Sequence, residues 1–462
     1  MAQTPAPRVD VPSRDEFDAL AARVTVLEAD VADLDGRVTA LEGGNPEPIP
    51  PEPVPPDPSP GTGLQALRIA DVIGIFGVNT FSSLDDGNMW GSWPADYRPE
   101  QVINALRYLT GDNTGHAIRI REYHYAGRET MQRPWLEQIK AAVPNTTVAM
   151  CVAANGSTNE VPSMLSMADL LVWTEGLNEP NTDFGSGQVP VEQTMDIQNR
   201  LFAEGADKLV VMGPSIVAGM PHPEGWVTGY FGDRMAECNS LLHRGNGHYY
   251  PPHCSDLVGD GTSLPEYIGG LWTAYGEHLI DLTEYHPSLY NNEGNGPSNS
   301  GWDGNRDAYY TLLALLRSSK IGVMGLWWYA LFDYGEVYKC GLFPTNATNP
   351  RPAADALRRL CQTCLDPSDT ARSFAPGKCD VQVGCPPNCD YHLAQASNGT
   401  FMLFIWHSEN EPGGDARPVT LTFAQRTGLT MVDLLSGKRD ELAPETDFVI
   451  DLPATVRVLL VG

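Results

Sequence analysis

Residues 13–42 place an apolar side chain at alternating intervals of three and four: Phe17, Leu20, Val24, Leu27, Val31, Leu34, Val38 and Leu41. That spacing fills only the a and d positions of a heptad, the narrow seam of a coiled coil rather than the wider stripe of a helix packed on its own domain. Ser13 and Glu16 stand at capping-box spacing, and Gly43-Gly44 ends the run. From residue 64 the pattern changes to short apolar runs alternating with helical stretches. Eight strands are expected, over residues 72–79, 117–123, 147–153, 170–177, 208–213, 241–249, 279–283 and 323–328. Helices are expected between them, as at 99–109, 191–204, 264–277 and 306–319, and a last one over 353–360 closes the eighth unit. Eight βα units predict an α/β fold, a (β/α)8 TIM barrel. A doubly wound open sheet is the alternative, but Gly74-Ile75-Phe76-Gly77 lacks the spacing of a phosphate-binding turn after a first strand. Runs at 401–406, 419–423, 431–435, 448–452 and 456–461 have no helices between them and predict a small C-terminal β-sandwich.

The expected organisation is a disordered N-terminus (1–12), a coiled-coil helix (13–44), a Pro-rich linker (45–63), the barrel (64–362) and a Cys-rich segment with the sandwich (363–462). The linker composition suits extended polyproline II, a spacer of roughly 50 Å. Val at a with Leu at d leans to a dimer. Arg23-Val24-x-x-Leu27-Glu28 and Arg37-Val38-x-x-Leu41-Glu42 instead resemble the short signature of trimeric coiled coils, so a homo-oligomer is expected, trimer favoured over dimer.

Net charge is −28 over 462 residues, which argues against nucleic acid and anionic membrane surfaces as partners. No apolar run reaches membrane-spanning length, so no membrane insertion is expected. The chain has nine cysteines. Cys151 reads as a small buried residue in a strand. The other eight, Cys238, Cys254, Cys340, Cys361, Cys364, Cys379, Cys385 and Cys389, suit four disulfides and an oxidising setting. Zinc held within the Cys361–Cys389 cluster is the rival, though its spacing is irregular for a zinc ribbon. Residues 1–14 lack the apolar core of a signal peptide, and a virion component released by lysis reconciles that with disulfides.

Candidate chemistry lies at strand ends. Asn178-Glu179-Pro180 follows the fourth expected strand, and Glu284 ends the seventh. Two glutamates brought together this way suit double-displacement glycoside hydrolysis, one as acid/base and one as nucleophile. Arg119 lies on the second strand, with Arg121 a neighbour able to take its role. His248-Tyr249-Tyr250 ends the sixth, and Trp327-Trp328 ends the eighth. Glu175 is an extra carboxylate just before the motif, either a supporting partner or a sign of a different register.

In this order the residues resemble clan A glycoside hydrolases, retaining enzymes on a TIM barrel. The run Trp328-Tyr329-Ala330-Leu331 to Gly341-Leu342-Phe343, with Arg351-Pro352 beyond it, is similar to the β-xylosidase/iduronidase branch. The resemblance covers about residues 64–462. It implies Glu179 as acid/base, Glu284 as nucleophile and Asn178 on the sugar 2-hydroxyl. It further implies Arg119 propping the nucleophile, Tyr250 of the His248-x-Tyr250 pair contacting it, and Trp327 as the floor of the sugar site. No cofactor and no metal are required. The expected substrate is a cell-surface polysaccharide, and the heptads and spacer point to a phage tail depolymerase acting at the host cell surface. A bacterial surface enzyme exported by another route stays open. A non-catalytic carbohydrate-binding receptor is the competing function, and a structural tail component with an incidental barrel is a third. Long loops at 84–93, 214–232 and 291–305, rich in Gly, Asn and aromatics, are candidate sugar-binding walls.

Overall fold

A computed structural model describes residues 63–81, 98–111, 118–125, 127–154, 156–183, 187–217, 223–250, 263–276, 278–286, 304–333, 340–344, 349–368, 370–408 and 414–461. The expected coiled coil, almost all of the linker and the loops at 84–93 and 291–303 lie outside the described residues, as does Cys254.

Eight parallel strands close into a barrel: β1 (Phe76–Asn79), β2 (Arg119–His124), β3 (Thr147–Val152), β4 (Trp173–Leu177), β5 (Val210–Met212), β6 (Arg244–Tyr249), β7 (Leu279–Tyr285) and β8 (Gly325–Trp328). Each pairs with its neighbour in chain order, and β8 pairs back onto β1. A short extension, Ile216–Val217, continues beyond β5 and pairs with the end of β6. The barrel expectation holds. The first strand is shorter than its pattern suggested. Ile69, Val72 and Ile73 are buried at helical spacing in a helix over Ile69–Gly74, so half of the apolar run serves a helix and half a strand. The helix Glu129–Ala142 buries Trp135, Leu136 and Ile139, and Pro134 inside it hides that helix from sequence.

Along each strand, side chains alternate between the barrel interior and the helical layer. On β2, Arg119, Arg121 and Tyr123 rise in succession through the interior, while Ile120, Glu122 and His124 face outward. His124 shows the outward direction: its ring meets Gln132 of the Glu129–Ala142 helix and Ser163. Pairing Gly77 with Arg119 and Asn79 with Arg121 sets the height of each layer.

The C-terminal strands form a seven-stranded mixed sheet: β9 (Val381–Gly384), β10 (Cys389–Gln395), β11 (Phe401–His407), β12 (Arg417–Asp433), β13 (Arg439–Leu452) and β14 (Val456–Val461), with Leu67–Arg68 added parallel to β10. The chain therefore enters through this sheet before it reaches the barrel. β11 is apolar on both faces because both are covered. Met402, Phe404 and Trp406 join the core shared with the barrel, and Leu403 and Ile405 join a second core. Tyr309, on the helix Gly304–Lys320, donates its hydroxyl to His407 O across that junction. The runs expected as two strands at 419–423 and 431–435 are one long strand, β12, whose pairing with β13 shifts register between Thr422 and Leu429.

No disulfide joins any two of the described cysteines. Cys238, Cys340, Cys361, Cys364 and Cys379 are buried. Nor do three cysteine sulfurs converge as a zinc site would require among the described residues. No described helix is long and apolar enough to cross a membrane.

Candidate active site

The barrel's upper interior is built around one buried cation. Arg121 has no solvent exposure, and its guanidinium donates to Glu175 through two nitrogens at 2.7 Å each. It also donates to Asn79 Oδ1 and Tyr123 Oη at 2.8 Å, to Asn178 Oδ1 at 2.7 Å and to Glu284 Oε1 at 2.8 Å. A buried guanidinium is tolerable only when its donors are met and its charge is matched, and two carboxylates and two amides do that here. Burial alone would raise the Glu175 pKa, but Arg121 overrides it and holds that carboxylate below the usual range. Glu175 is thus a supporting partner, and Thr283 Oγ1 adds a donor to it at 3.3 Å.

Above this layer lie the paired glutamates. Glu284 accepts from Arg121, from the Tyr123 hydroxyl and from the Tyr250 hydroxyl. Both strand ends that carry the pair depart from regular pairing. β7 shifts register against β6 between Leu282 and Glu284, and β4 shifts against β3 at the step from Glu175 to Leu177. Such irregularities re-aim the residue that follows them. Glu179 itself has φ of 46°, a left-handed conformation that few non-glycine residues adopt. Its backbone N–H donates to Ser215 O at 3.0 Å, which holds the turn. Strain of this kind collects at functional sites.

An oxygen of Glu179, one of Glu284 and a ring nitrogen of His248 all lie within 4.8 Å of one another. His248 Nδ1 is 2.6 Å from Glu179 Oε1 and 3.5 Å from Glu284 Oε2. Retaining glycosidases hold their carboxyls about 5–5.5 Å apart and inverting ones about 6.5–9.5 Å, and an oxygen–oxygen approach within 4.8 Å lies on the short side of the inverting range. The two carboxyls have different surroundings. Burial lifts Glu179 to about 7, Arg121 opposes the rise and Glu175 adds to it. Burial lowers His248 to about 4, which keeps its imidazole neutral near pH 7. Burial pushes the Tyr123 and Tyr250 hydroxyls well above 10.0, so both remain donors. Three ligand-type side chains in one cluster also resemble a metal site. Glu284 is, however, already matched by a guanidinium and two hydroxyls, which leaves a cation little to compensate.

Asn178 Oδ1 accepts from Arg121 and, at 3.2 Å, from Ser215 Oγ, and its Nδ2 remains a donor for a ligand. Of the residues expected at the site, Glu179, Glu284, Asn178, His248 and Tyr250 come together. Arg119 and Trp327 do not. Arg119 lies one layer lower, donating to Met324 O at 2.5 Å, 3.8 Å from Asp281 and stacked over Trp173 and Trp327. Trp327 fills the barrel beside Gly77 and Gly325, where an added Cβ would meet its ring within 3 Å. The aromatics that touch Glu284 are Tyr123 and Tyr250, and the Tyr329 ring packs edge-on to Tyr250 at 6.1 Å and to Phe81 at 6.0 Å. Tyr123 and Ser215 were not singled out from sequence, whereas Arg121 was named there as the alternative to Arg119, and it is Arg121 that meets Glu284. For Arg121 a signal existed, its position nearer the strand's C-terminal end, where barrel sites form.

No known protein family and no curated protein matches the chain by sequence. Its fold is similar to that of a family 39 glycoside hydrolase from the gut symbiont Bacteroides cellulosilyticus, with a TM-score of 0.54 and 13% identity over 86% of this chain and 82% of that one. It is similar to a family 51 α-L-arabinofuranosidase from Bifidobacterium longum, with a TM-score of 0.52 and 11% identity over 87% and 97%. An endo-β1,6-glucanase aligns with a TM-score of 0.50 and 11% identity over 87% and 93%. The likeness takes in the C-terminal sheet as well as the barrel.

Proposed function

We propose that the protein is a retaining glycoside hydrolase that cleaves a cell-surface polysaccharide by double displacement, with Glu179 as acid/base and Glu284 as nucleophile. The observation that carries this reading is the contrast within one pair. Glu179 is lifted to about 7, while Glu284, which brings an oxygen within 4.8 Å of a Glu179 oxygen, accepts from Arg121 and Tyr123 at Oε1 and from Tyr250 at Oε2. Opposed environments assign opposed roles to like residues.

In the first step Glu284 attacks the anomeric carbon as Glu179 gives its proton to the departing glycosidic oxygen. A glycosyl ester forms on Glu284 and the leaving sugar departs as an alcohol. Glu179, now a carboxylate, takes a proton from water as that water attacks the same carbon, releasing Glu284 and restoring both groups. Arg121 and the tyrosines hold the nucleophile's attacking geometry, and the Asn178 amide is suited to a sugar 2-hydroxyl. Neutral His248 fixes the rotamer of Glu179 without adding a charge that would depress its pKa.

The heptads at 13–42 and the proline spacer extend the proposal to an oligomeric stalk, trimer over dimer, carrying the enzyme on a phage tail. The mass of the assembled protein in solution tests that part separately. The enzymatic reading is tested by release of reducing ends from envelope polysaccharides of candidate host bacteria. Wild type should release sugar, and Glu284→Gln and Glu179→Gln should each be slower by on the order of 10³-fold or more. If wild type and both variants release nothing yet bind the same polysaccharide equally, the chain is a carbohydrate-binding receptor instead.

A further inference from the structure

Beside the acid/base turn lies a groove of about 410 Å³, lined by Asn181, Gln188, Gly225, Trp226, Gly229 and Tyr230. Its volume falls within the ~300–1,000 Å³ range of small-ligand sites. Trp226 sits on the helix Pro223–Phe231 with 54% of its surface exposed. A single exposed tryptophan is ordinary on any surface. Here it borders a concave site, and its helix keeps the floor of that site open. An added Cβ at Gly229 would meet nothing within 4 Å, so packing does not require glycine there. Glycine within a helix nonetheless costs about 1 kcal/mol against alanine. What its missing side chain preserves is open space beside the Trp226 ring.

The groove is fixed relative to the catalytic pair. Val189 N–H donates to Pro180 O at 2.9 Å, next to Glu179 in sequence. The Tyr230 hydroxyl donates to Val189 O at 2.7 Å, which ties the helix to that turn. Asn181 clamps the same turn to Val217, donating to its carbonyl at 2.7 Å and accepting from its N–H at 3.1 Å. The acid/base protonates the leaving oxygen, so the sugar that departs must sit on its side of the cleavage point.

We propose that this groove is a subsite for a leaving-group sugar ring, with Trp226 as its stacking platform and Gln188 as a polar contact. The enzyme then favours oligosaccharides or polymers over substrates with a small aglycone. This inference rests on the glycosidase reading above and goes beyond it. Binding held away from the reacting bond raises the rate on long substrates in particular.

The test compares kcat/KM for an oligosaccharide fragment of an envelope polysaccharide that the protein cleaves or binds with kcat/KM for an aryl glycoside of the same terminal sugar. Trp226→Ala should lower the oligosaccharide-to-aryl ratio by about tenfold, and Trp226→Tyr should recover most of it. Gly229→Leu should also lower the ratio by filling the groove while the melting temperature holds or rises, an outcome that damage to the helix would not give. A ratio unchanged in Trp226→Ala and Gly229→Leu overturns the subsite. Should wild type hydrolyse neither substrate, the glycosidase reading fails by itself. Calorimetric titration with the oligosaccharide still reads the groove in that case: weaker binding by Trp226→Ala supports the subsite, and equal binding overturns it.

Discussion

Replacing Glu179 by Gln should change stability in a pH-dependent way whose sign follows from the site. The carboxyl is raised from 4.5 to about 7, with burial as the first cause, and 13% of its side chain is exposed. A folded-state pKa above the unfolded one means the native state binds the proton more tightly. That stability is present in full below about pH 4.5 and is lost as the pH rises through about 7. The rise corresponds to at most about 3 kcal/mol of preference for the protonated form. Glutamine mimics the neutral acid at every pH and can keep a hydrogen bond to His248 Nδ1. Wild type and Glu179→Gln should therefore melt at nearly the same temperature at pH 5. At pH 8 the variant should melt several degrees higher, with the gap opening between about pH 4.5 and 7 and levelling off above that. Every other titrating group is common to both proteins and cancels in the difference. Thermal melting of the two proteins at pH 5, 6, 7 and 8 reads it directly. A gap that stays constant across that range, or a variant that loses ground as the pH rises, would refute the environment assigned to Glu179.

Further outcomes follow from the same geometry. The kcat/KM profile should fall about tenfold per pH unit above pH 7 as Glu179 loses its proton; a rate still rising at pH 9 would contradict the assignment. Arg121→Met should cost about 3–5 kcal/mol of stability, because it strands Glu175 and Glu284 as buried charges, and it should abolish turnover. Arg119→Lys should keep kcat/KM within a few-fold of wild type, and a loss there as large as at Arg121 would place the wrong arginine beside the nucleophile. Trp327→Ala should lower stability by about 3–5 kcal/mol through the cavity it leaves; in the folded fraction KM for sugar should stay near wild type, which steady-state kinetics below the melting temperature would check.

Much of this arrangement is legible in the sequence, because barrel strands announce themselves as apolar runs and site residues gather at their ends. Asn178, Glu179, His248, Tyr250 and Glu284 come together as their positions on strands four, six and seven suggested. The two residues that fall elsewhere share one cause. Arg119 and Arg121 face the same way, as do Trp327 and Tyr329, since side chains two apart share a face of a strand. Alternation therefore selects the set but not the layer, and one layer is about 6.6 Å of rise. Height comes from register, here Asn79 beside Arg121, and register is a property of the closed barrel. Glu175 stood out in sequence as an unexplained carboxylate, and it took the third dimension to reveal Arg121 as its partner. The tie between Leu67–Arg68 and β10 was likewise hidden, because two residues carry no period of their own.

The central claim is double displacement by Glu179 and Glu284. The most direct measurement is the anomeric configuration of the first-formed product, followed by proton NMR during hydrolysis of a polysaccharide that wild type cleaves. The account predicts initial release of the anomer that has the configuration of the bond broken, with the other appearing only by mutarotation. First release of the inverted anomer would contradict it, because Glu284 could not then have formed a glycosyl ester.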